Sequence, residues 1–440
     1  MRYPKLLIVS RLNWDDNSVS NTLTNLFSDY DPDKIARIYI ETQQPNTKCC
    51  HHFYQISEFS LIKKFWQWGL KTGRIIDTDD GENNSMNDDK TANQETFVMN
   101  YVRSHRSWLF SVFREILWLF GGWKTRELKK FIIDFDPDVV WLDGSPLILM
   151  NRLNNYVYKV AKKPMVTFLM DDVYCYESCV SFFDRIYKYF LRKYVKWTVD
   201  HSHHVFVASQ KMKEEYDLMF GVNSSFITKS FDTDMLKSHV DRINKPVKMV
   251  YLGNVLIGRL NSLIYVAECM KEINKNGQRL QLSIYTNSFI SKKDKKRILI
   301  DDGVRLYPPV AYNEVPEIIA GSDVLVFTES LDGKNMSVAR LSFSTKIIDY
   351  IQSGKCILAV GPKDVAPIEY FRNEDAALVA SSKEELMAKL MQLTDETVIR
   401  KYAEKAIVCG KRNHDKIRMH KRIYSIIRNV AKSNIRRSNN

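Results

Sequence analysis

Lys346 and Asp349 lie three residues apart in the segment RLSFSTKIIDYIQSGKCILAV, which spans residues 340–360. Three isoleucines form an apolar stripe at helical spacing, and Gly354 follows where a helix commonly ends. The pattern predicts a short helix before a buried strand, with Lys346 in the first turn, where backbone N–H groups favour an anion. A phosphate-binding cation beside a hydroxyl-binding carboxylate predicts a nucleotide site. A solvated Lys–Asp pair on a helix surface is the alternative.

A second cation, Arg259, follows the predicted strand at 247–252, in the turn GNVLIGRLNSL. Gly253 lets the backbone turn tightly and a ligand approach closely. Arg259 lies at the predicted start of a helix, and its guanidinium suits a phosphate. Ligands of open parallel sheets bind beyond the carboxyl ends of the strands. We therefore expect Arg259 and Lys346 to converge on a diphosphate and Asp349 to bind ribose hydroxyls.

Other loops at the same edge of the predicted sheet complete the expected site. Asn254 follows Gly253 in the turn, and Val310 lies in the loop 308–312, which is available beside a nucleobase. Glu329 opens a long polar loop after a strand, a usual place for substrate contacts. We expect Asn254 and Val310 to bind the nucleotide and Glu329 to bind substrate.

The first half of the chain offers carboxylates at two strand ends. Asp171 and Asp172 end the strand predicted in MVTFLMDDVYCYE, and one of them would orient an acceptor hydroxyl or a donor sugar. Capping of the following helix is the alternative for this pair. Asn13 and Asp15 follow the first predicted strand and are acceptor-side candidates.

Short apolar runs alternate with helical patterns along the chain, which predicts α/β domains with parallel sheets. The segment VKMVYLGN restarts the pattern with which KLLIVSRLN began, so we predict two doubly wound domains, at 1–235 and 246–411, followed by a C-terminal helix and basic tail at 412–440. The predicted strands are Lys5–Ser10, Ile35–Glu41, Val139–Asp143, Met165–Met170, Val205–Ser209, Val247–Leu252, Leu282–Thr286, Val304–Tyr307, Val324–Phe327 and Cys356–Val360.

The bulk composition is that of a globular protein with an anionic partner. The 440 residues carry a net charge of +13, which favours attraction to phosphorylated substrates, anionic lipid or nucleic acid. Seven cysteines in this length do not indicate a disulfide scaffold, so a reducing cytosol is the expected compartment. The N-terminus has no signal-peptide pattern, and no apolar stretch is long enough to span a membrane.

Three sets of residues could in principle hold a metal, and we predict none at each. Cys175 and Cys179 precede a His-rich patch, but a second paired spacing typical of zinc is missing. A DxD pattern occurs at 77–79 in a polar, low-complexity segment, 77–97, and again at 136–138 in a loop that enters a strand.

Residues 98–130 combine apolar helical faces with tryptophans and flanking arginines and lysines. This composition is typical of helices that lie on an anionic membrane surface. A helix hairpin packed on the sheet, with its basic side chains in water, is the alternative. Residues 58–71 have the same character and would extend the same surface.

The blocks YLGNVLIGRLNSLIYVAE, NEVPEIIAGSDVLVF and SFSTKIIDYIQSGKCILAVGP together resemble the second domain of GT-B glycosyltransferases. They look most like the retaining group that builds bacterial cell-surface polysaccharides. The resemblance covers roughly 247–375 and implies two Rossmann-like domains facing across a cleft. It implies transfer without a metal from a nucleotide-diphosphate sugar, with no further cofactor. The acceptor would be a glycan or polyprenyl-linked substrate at the inner face of the cell membrane.

The same resemblance assigns Arg259 and Lys346 to the diphosphate and Asp349 to the ribose. It also exposes two departures. The family's first glutamate, eight positions before Asp349, is Leu341 here, so donor-sugar contacts would come from Glu329 or backbone N–H groups. The family's Gly-Gly pair after the first strand is replaced by Asn17-Ser18, so Ser18 would serve there.

Two other functions remain compatible with these residues. A sugar-nucleotide 2-epimerase shares the architecture and needs no acceptor, and an inactive nucleotide-sugar-binding homologue is compatible with Leu341. A nucleic-acid-binding protein is disfavoured because the basic residues are dispersed and no recognised module is present.

Overall fold

The computed structural model describes residues 3–18, 21–64, 66–67, 69–77, 108–179, 181–236, 242–300, 303–332, 337 and 339–438. They form two compact units. Unit 1 contains Met1–Ala208, Lys213–Ile227 and His420–Asn440, and unit 2 contains Ser209–Met212 and Thr228–Met419.

In the part of the chain that the structure describes, each unit is built on its own sheet, of eight strands in unit 1 and six in unit 2. The strands of unit 1 lie in the order β4-β3-β2-β1-β5-β6-β7-β8, all parallel except β4, which pairs antiparallel with β3. Its strands are β1 (Leu6–Val9), β2 (Ile35–Tyr39), β3 (His52–Ile56), β4 (Gly73–Asp77), β5 (Val139–Asp143), β6 (Met165–Leu169), β7 (His204–Val207) and β8 (Ser225–Phe226).

Unit 2 has six parallel strands in the order β11-β10-β9-β12-β13-β14. They are β9 (Val247–Leu252), β10 (Leu280–Tyr285), β11 (Val304–Tyr307), β12 (Val324–Thr328), β13 (Cys356–Val360) and β14 (Leu378–Ala380).

Helices connect the strands. In chain order they are α1 (Thr22–Phe27), α2 (Glu58–Lys64), α3 (Trp108–Phe120), α4 (Arg126–Phe135), α5 (Ile148–Ala161), α6 (Phe182–His201), α7 (Gln210–Phe220), α8 (Arg259–Ile273), α9 (Lys292–Ile298), α10 (Val315–Ala320), α11 (Lys346–Gln352), α12 (Ala366–Asn373), α13 (Lys383–Gln392), α14 (Glu396–Asn413) and α15 (Lys416–Ser438). Single 3₁₀ turns occur at Pro32–Lys34, Tyr176–Ser178, Thr233–Met235, Asn274–Asn276 and Tyr312–Glu314.

Both sheets are covered on two faces, which explains why their strands are continuous apolar runs rather than alternating ones. In β9, Met249 and Tyr251 belong to one core cluster, whereas Val250 and Leu252 belong to another on the opposite face. In unit 1, one face of the sheet packs on α3, α4 and α5. This burial on both faces fixes the edge at which the strands end and the loops begin.

The predicted fold class is confirmed: both units are doubly wound α/β domains, and all ten predicted strands are present. The sequence prediction omitted β3, β4, β8 and β14, of which β4, β8 and β14 lie at sheet edges. Unit 2 takes up the chain at Thr228, and the chain returns to unit 1 at His420. There the His420 ring bonds to Asp29 and to the carbonyl of Asn25.

The segment predicted to be membrane-contacting, 98–130, is described from Trp108 onward, as α3 and the start of α4. Most of the polar stretch 77–97 lies outside the described residues. Within the part of the chain that the structure describes, no helix combines the length and the apolar character needed to cross a bilayer.

Candidate functional site

The turn after β9 carries a lysine ammonium directly over a glycine. Gly253 adopts φ +134°, and a Cβ placed on it would lie 2.6 Å from Lys346 Nζ. This close approach explains why the position is glycine. Lys346 Nζ donates to the carbonyl of Leu252 at 3.2 Å and lies 5.1 Å from the centre of the Tyr251 ring. Lys346, in α11, is therefore held against the carboxyl end of β9.

Arg259 reaches the same turn from the start of α8. Its Nη1 donates to Asn254 Oδ1 at 3.1 Å, while the Asn254 carbonyl accepts a hydrogen bond from Tyr251 at 2.5 Å. The predicted convergence of Arg259 and Lys346 on one turn is thus present in the structure. The role of the two cations in binding a diphosphate stays a prediction.

Glu329, at the carboxyl end of β12, forms an ion pair with Arg259. Its two oxygens accept from Arg259 Nε and Nη2, each at 3.1 Å, and its side chain is only 3% exposed. Such a two-point pair fixes the plane of the guanidinium. Ser262 of α8 donates to the Glu329 carbonyl at 2.7 Å and holds the start of this loop. The contacts of Glu329 are those of a residue that positions Arg259, whereas the sequence predicted a substrate contact.

Asp349 has a partner that the sequence did not reveal. Lys229, which follows β8 and is almost fully buried, donates to Asp349 Oδ1 at 2.8 Å. Burial raises the pKa of Asp349, and the Lys229 ammonium opposes that rise. No spacing signal could have shown this pair, because its members are 120 residues apart in the chain.

These five residues form one charged cluster in unit 2. Three cations (Lys229, Arg259 and Lys346) and two carboxylates (Glu329 and Asp349) give it a net charge of +1. Burial and the neighbouring Arg259 lower the pKa of Lys346 to about 8, against partial opposition from both carboxylates. An anion bound beside Lys346 would raise this pKa, because a nearby opposite charge favours the ammonium form.

The remaining nucleotide-site candidates lie in different surroundings. Val310, in the loop after β11, packs half-buried against the core of unit 2. The rings of Tyr285 and Tyr307 stack at the ends of β10 and β11, with centroids 4.8 Å apart. Leu341, at the position of the resembled family's first glutamate, is fully buried, and its carbonyl accepts from Ser209 at 2.7 Å. Leu341 therefore acts as a core residue.

The candidates after β1 bond to their own loop and to the loop after β2. Asn13 donates through its amide to the carbonyl of Gln44 at 3.1 Å. Asp15 Oδ1 accepts from the Asn17 backbone and from the Asn46 side chain, and the Ser18 hydroxyl accepts from the Asn21 backbone at 3.1 Å. These bonds shape the turn, and the predicted acceptor contacts of Asn13, Asp15 and Ser18 stay predictions.

Asp171 and Asp172 behave differently from each other. Asp171 is exposed. Asp172 Oδ1 accepts from the backbone N–H groups of Tyr174 and Cys175 and from the hydroxyl of Tyr216, at 2.9–3.1 Å. These contacts match the alternative, a carboxylate that caps the local backbone. A catalytic role for either residue stays a prediction.

In the described ranges, no three His, Cys, Asp or Glu side chains are grouped as a metal would require. Asp136 pairs with Lys163 at 2.8 Å, and Asp138 accepts a hydrogen bond from the Lys5 backbone at 2.7 Å. Both carboxylates are therefore bonded to other groups of the protein. Of the acidic triplet at 77–79, only Asp77 is among the described residues.

No protein-family model and no curated protein sequence matches this chain. Solved structures do resemble it. The α,α-trehalose 6-phosphate synthase of Burkholderia multivorans gives a TM-score of 0.60 at 10% identity, over 98% of this chain and 100% of that one. The sucrose-phosphate synthase of Thermosynechococcus elongatus gives 0.59 at 10% identity, with coverage of 98% and 100%.

A third similar structure is the pneumococcal O-GlcNAc transferase GtfA, solved with UDP and GlcNAc. It gives a TM-score of 0.51 at 14% identity, over 69% of this chain and 59% of that one. The similarity therefore spans well under two thirds of that transferase. At these identities the likeness concerns the fold, and the fold is the one predicted. Each α/β unit is built on a parallel or mainly parallel sheet. Together with these structural neighbours, the two units identify the fold of the chain as the GT-B glycosyltransferase fold.

Proposed function

We propose that this protein is a glycosyltransferase that takes its sugar from a nucleotide-diphosphate sugar. The observation that carries the proposal is the meeting of Lys346 and Arg259 at the turn Gly253–Asn254. The turn follows the carboxyl end of a central parallel strand, where ligands of such sheets bind. Among the described residues, Lys346 Nζ bonds to the Leu252 carbonyl alone, which leaves ammonium hydrogens for phosphate oxygens.

The chemistry assigned to this site is stabilisation of a leaving diphosphate. The bond between the anomeric carbon and the β-phosphate oxygen breaks, and the diphosphate leaves with the electron pair. The acceptor oxygen forms the new bond to the anomeric carbon. In a retaining transfer, the departing phosphate takes up the acceptor's proton. Lys346 and Arg259 stabilise the growing negative charge, Glu329 positions Arg259, and Asp349 binds the ribose. Such preorganised charges act without reorganisation when the bond breaks.

The proposal extends to the acceptor. We assign a glycan or polyprenyl-linked acceptor in cell-surface polysaccharide synthesis, reached from the cytoplasmic face of a membrane, with retention of configuration and no metal. The resemblance of 247–375 to the polysaccharide-building group supports this assignment. So does the net charge of +13, which favours an anionic surface.

The test is a thermal-shift screen against nucleoside diphosphates and their sugars. UDP is the first ligand to try, because a neighbour of this fold was solved with it. A ligand that binds only the native state raises the melting temperature by mass action. Arg259→Ala and Lys346→Ala should lose that shift. The matched controls are Arg297→Ala and Lys383→Ala, which remove exposed partners of Glu268. Unchanged nucleotide binding in both site variants would defeat the proposal.

Turnover separates the alternatives. A transferase releases nucleoside diphosphate only when an acceptor is supplied. A 2-epimerase converts the sugar nucleotide without one, and an inactive homologue binds without turnover.

A further inference from the structure

Two helices of unit 1 expose apolar side chains with the same spacing. On α3 the exposed residues fall at positions i, i+1, i+4, i+7 and i+8: Val112, Phe113, Ile116, Leu119 and Phe120. On α6 the same five positions carry Phe182, Phe183, Ile186, Tyr189 and Phe190. This spacing places five large side chains on one face of each helix. Phe120 is 73% exposed and Phe182 is 72% exposed.

The inner faces of the two helices are joined to each other. The Tyr187 hydroxyl on α6 donates to Glu115 Oε1 on α3 at 2.9 Å. Arg152 of α5 pairs with Glu115 Oε2 at 3.1 Å, and Tyr187 also accepts from the backbone of Ile148 at 2.8 Å. Both helices also pack on α5. These contacts hold α3 and α6 as neighbours, and the apolar side chains of both outer faces are exposed.

Cations border the α6 face. Arg185 and Lys193 lie beside its aromatic residues, and Lys193 Nζ is 4.5 Å from the centre of the Tyr189 ring. An open groove of about 540 Å³ runs beside Tyr176, Arg185, Ile186, Tyr189 and Phe190. A groove with an arginine in an otherwise aromatic and aliphatic wall suits a group with a negative head and an apolar body. Charge and shape thus favour a phospholipid.

We infer that the outer faces of α3 and α6 form one surface that docks on a bilayer containing anionic phospholipid. The aromatic and aliphatic side chains enter the interface, and Arg185 and Lys193 attract the headgroups. The sequence pattern had indicated 98–130, the stretch that includes α3. The second helix, α6, and the joining of the two follow from the structure. The inference extends the membrane part of the proposed function but does not depend on transfer activity.

Vesicle co-sedimentation tests this surface on the full chain. The probes are phosphatidylcholine vesicles with and without phosphatidylglycerol. The wild-type protein should bind the anionic vesicles, and added salt should weaken that binding. Phe120→Ser and Phe182→Ser, one from each helix, should each weaken binding about threefold, and the double variant at least tenfold. The control pair is Leu218→Ser with Ile417→Ser, which removes apolar residues that are 89% and 76% exposed elsewhere.

The charges have a matched control as well. Arg185→Gln and Lys193→Gln together should weaken binding to anionic vesicles about tenfold. The same loss of two charges on α9, at Lys292 and Lys296, should leave it unchanged.

Two results would overturn the inference. One is wild-type binding to anionic vesicles that the double phenylalanine variant retains in full. The other is no vesicle binding together with a concentration-dependent dimer that the double variant loses, since the surface would then bind a second copy. Nucleoside diphosphate thermal shifts, measured on every variant, report folding and test the proposed function separately.

Discussion

The turns after the first strands of the two sheets both hold a cation, but use it differently. In unit 1, Arg37 of β2 is 1% exposed, and its Nη2 donates to the Ser10 hydroxyl and to the carbonyls of Leu12 and Asn13. In unit 2, Lys346 lies over the turn after β9 and bonds to one carbonyl, that of Leu252. Arg37 therefore stabilises the turn after β1 through its hydrogen bonds. Lys346 lies against a turn in which only glycine leaves space for its ammonium.

The comparison teaches that a cation at a strand end is not in itself a ligand site. Burial lowers the pKa of Arg37, and three acceptors of the turn after β1 surround its Nη2. Burial also lowers the pKa of Lys346, but among the described residues only the Leu252 carbonyl accepts a hydrogen bond from its ammonium. What distinguishes the two turns is the number of acceptors that the protein itself supplies. Three predictions break or sharpen this contrast.

The largest effect is expected from Arg259→Ala. It leaves the Glu329 carboxylate buried without its partner, so unit 2 should lose about 3–5 kcal/mol of stability. The double variant Arg259→Met/Glu329→Leu should recover most of that stability but not nucleotide binding. Far-UV circular dichroism during urea unfolding measures the first effect and calorimetry with UDP the second. Full recovery of UDP binding in the double variant would show that Arg259 only stabilises the fold, as Arg37 does.

Arg37→Leu should lower the stability of unit 1 but leave nucleotide binding unchanged. Buried acceptors of the turn lose their donor, which costs roughly 1–3 kcal/mol in unit 1. All eight tryptophans precede residue 208 and so lie in unit 1, which makes tryptophan fluorescence a selective readout of its unfolding. UDP affinity should stay at the wild-type value. A loss of UDP affinity as large as in Lys346→Ala would contradict the contrast between the two turns.

The smallest effect concerns pH. The folded-state pKa of Lys346, about 8, is below the value of about 10.4 usual for lysine, so its ammonium loses its proton as the pH rises through 8. Diphosphate affinity should be full below that pH and fall above it, by up to about 1.4 kcal/mol, or tenfold, per pH unit. The variant Lys346→Arg keeps its positive charge. Its diphosphate affinity should therefore stay constant between pH 7 and 9, roughly the range over which Lys346 titrates. Calorimetric titration over this range measures both. An identical decline in wild type and variant would assign the effect to another group.

The strands and the strand-end cations could be predicted because both depend on local pattern. Val247–Leu252 is an apolar run bounded by a glycine, and in a parallel sheet such a run also fixes where its loop emerges. Two edge strands were missed because they are too short to carry much apolar signal: β8 has two residues and β14 has three. The roles of Glu329 and Asp172 were not predictable, since an acidic residue after a strand looks the same whether it faces a ligand, an arginine or its own backbone.

The sequence by itself determined the fold class, the two repeats of the βα pattern and the identity of Arg259 and Lys346 as cations at the loop edge of one sheet. Tertiary structure decided their surroundings. It buried Lys229 against Asp349, paired Arg259 with Glu329, and set α3 beside α6 through Tyr187 and Glu115. The physical reason is the sequence distance over which each kind of interaction acts. Periodicity and turn chemistry act within a few residues, whereas pairing of buried charges joins segments that are 70 or more residues apart and depends on how the sheets and helices pack.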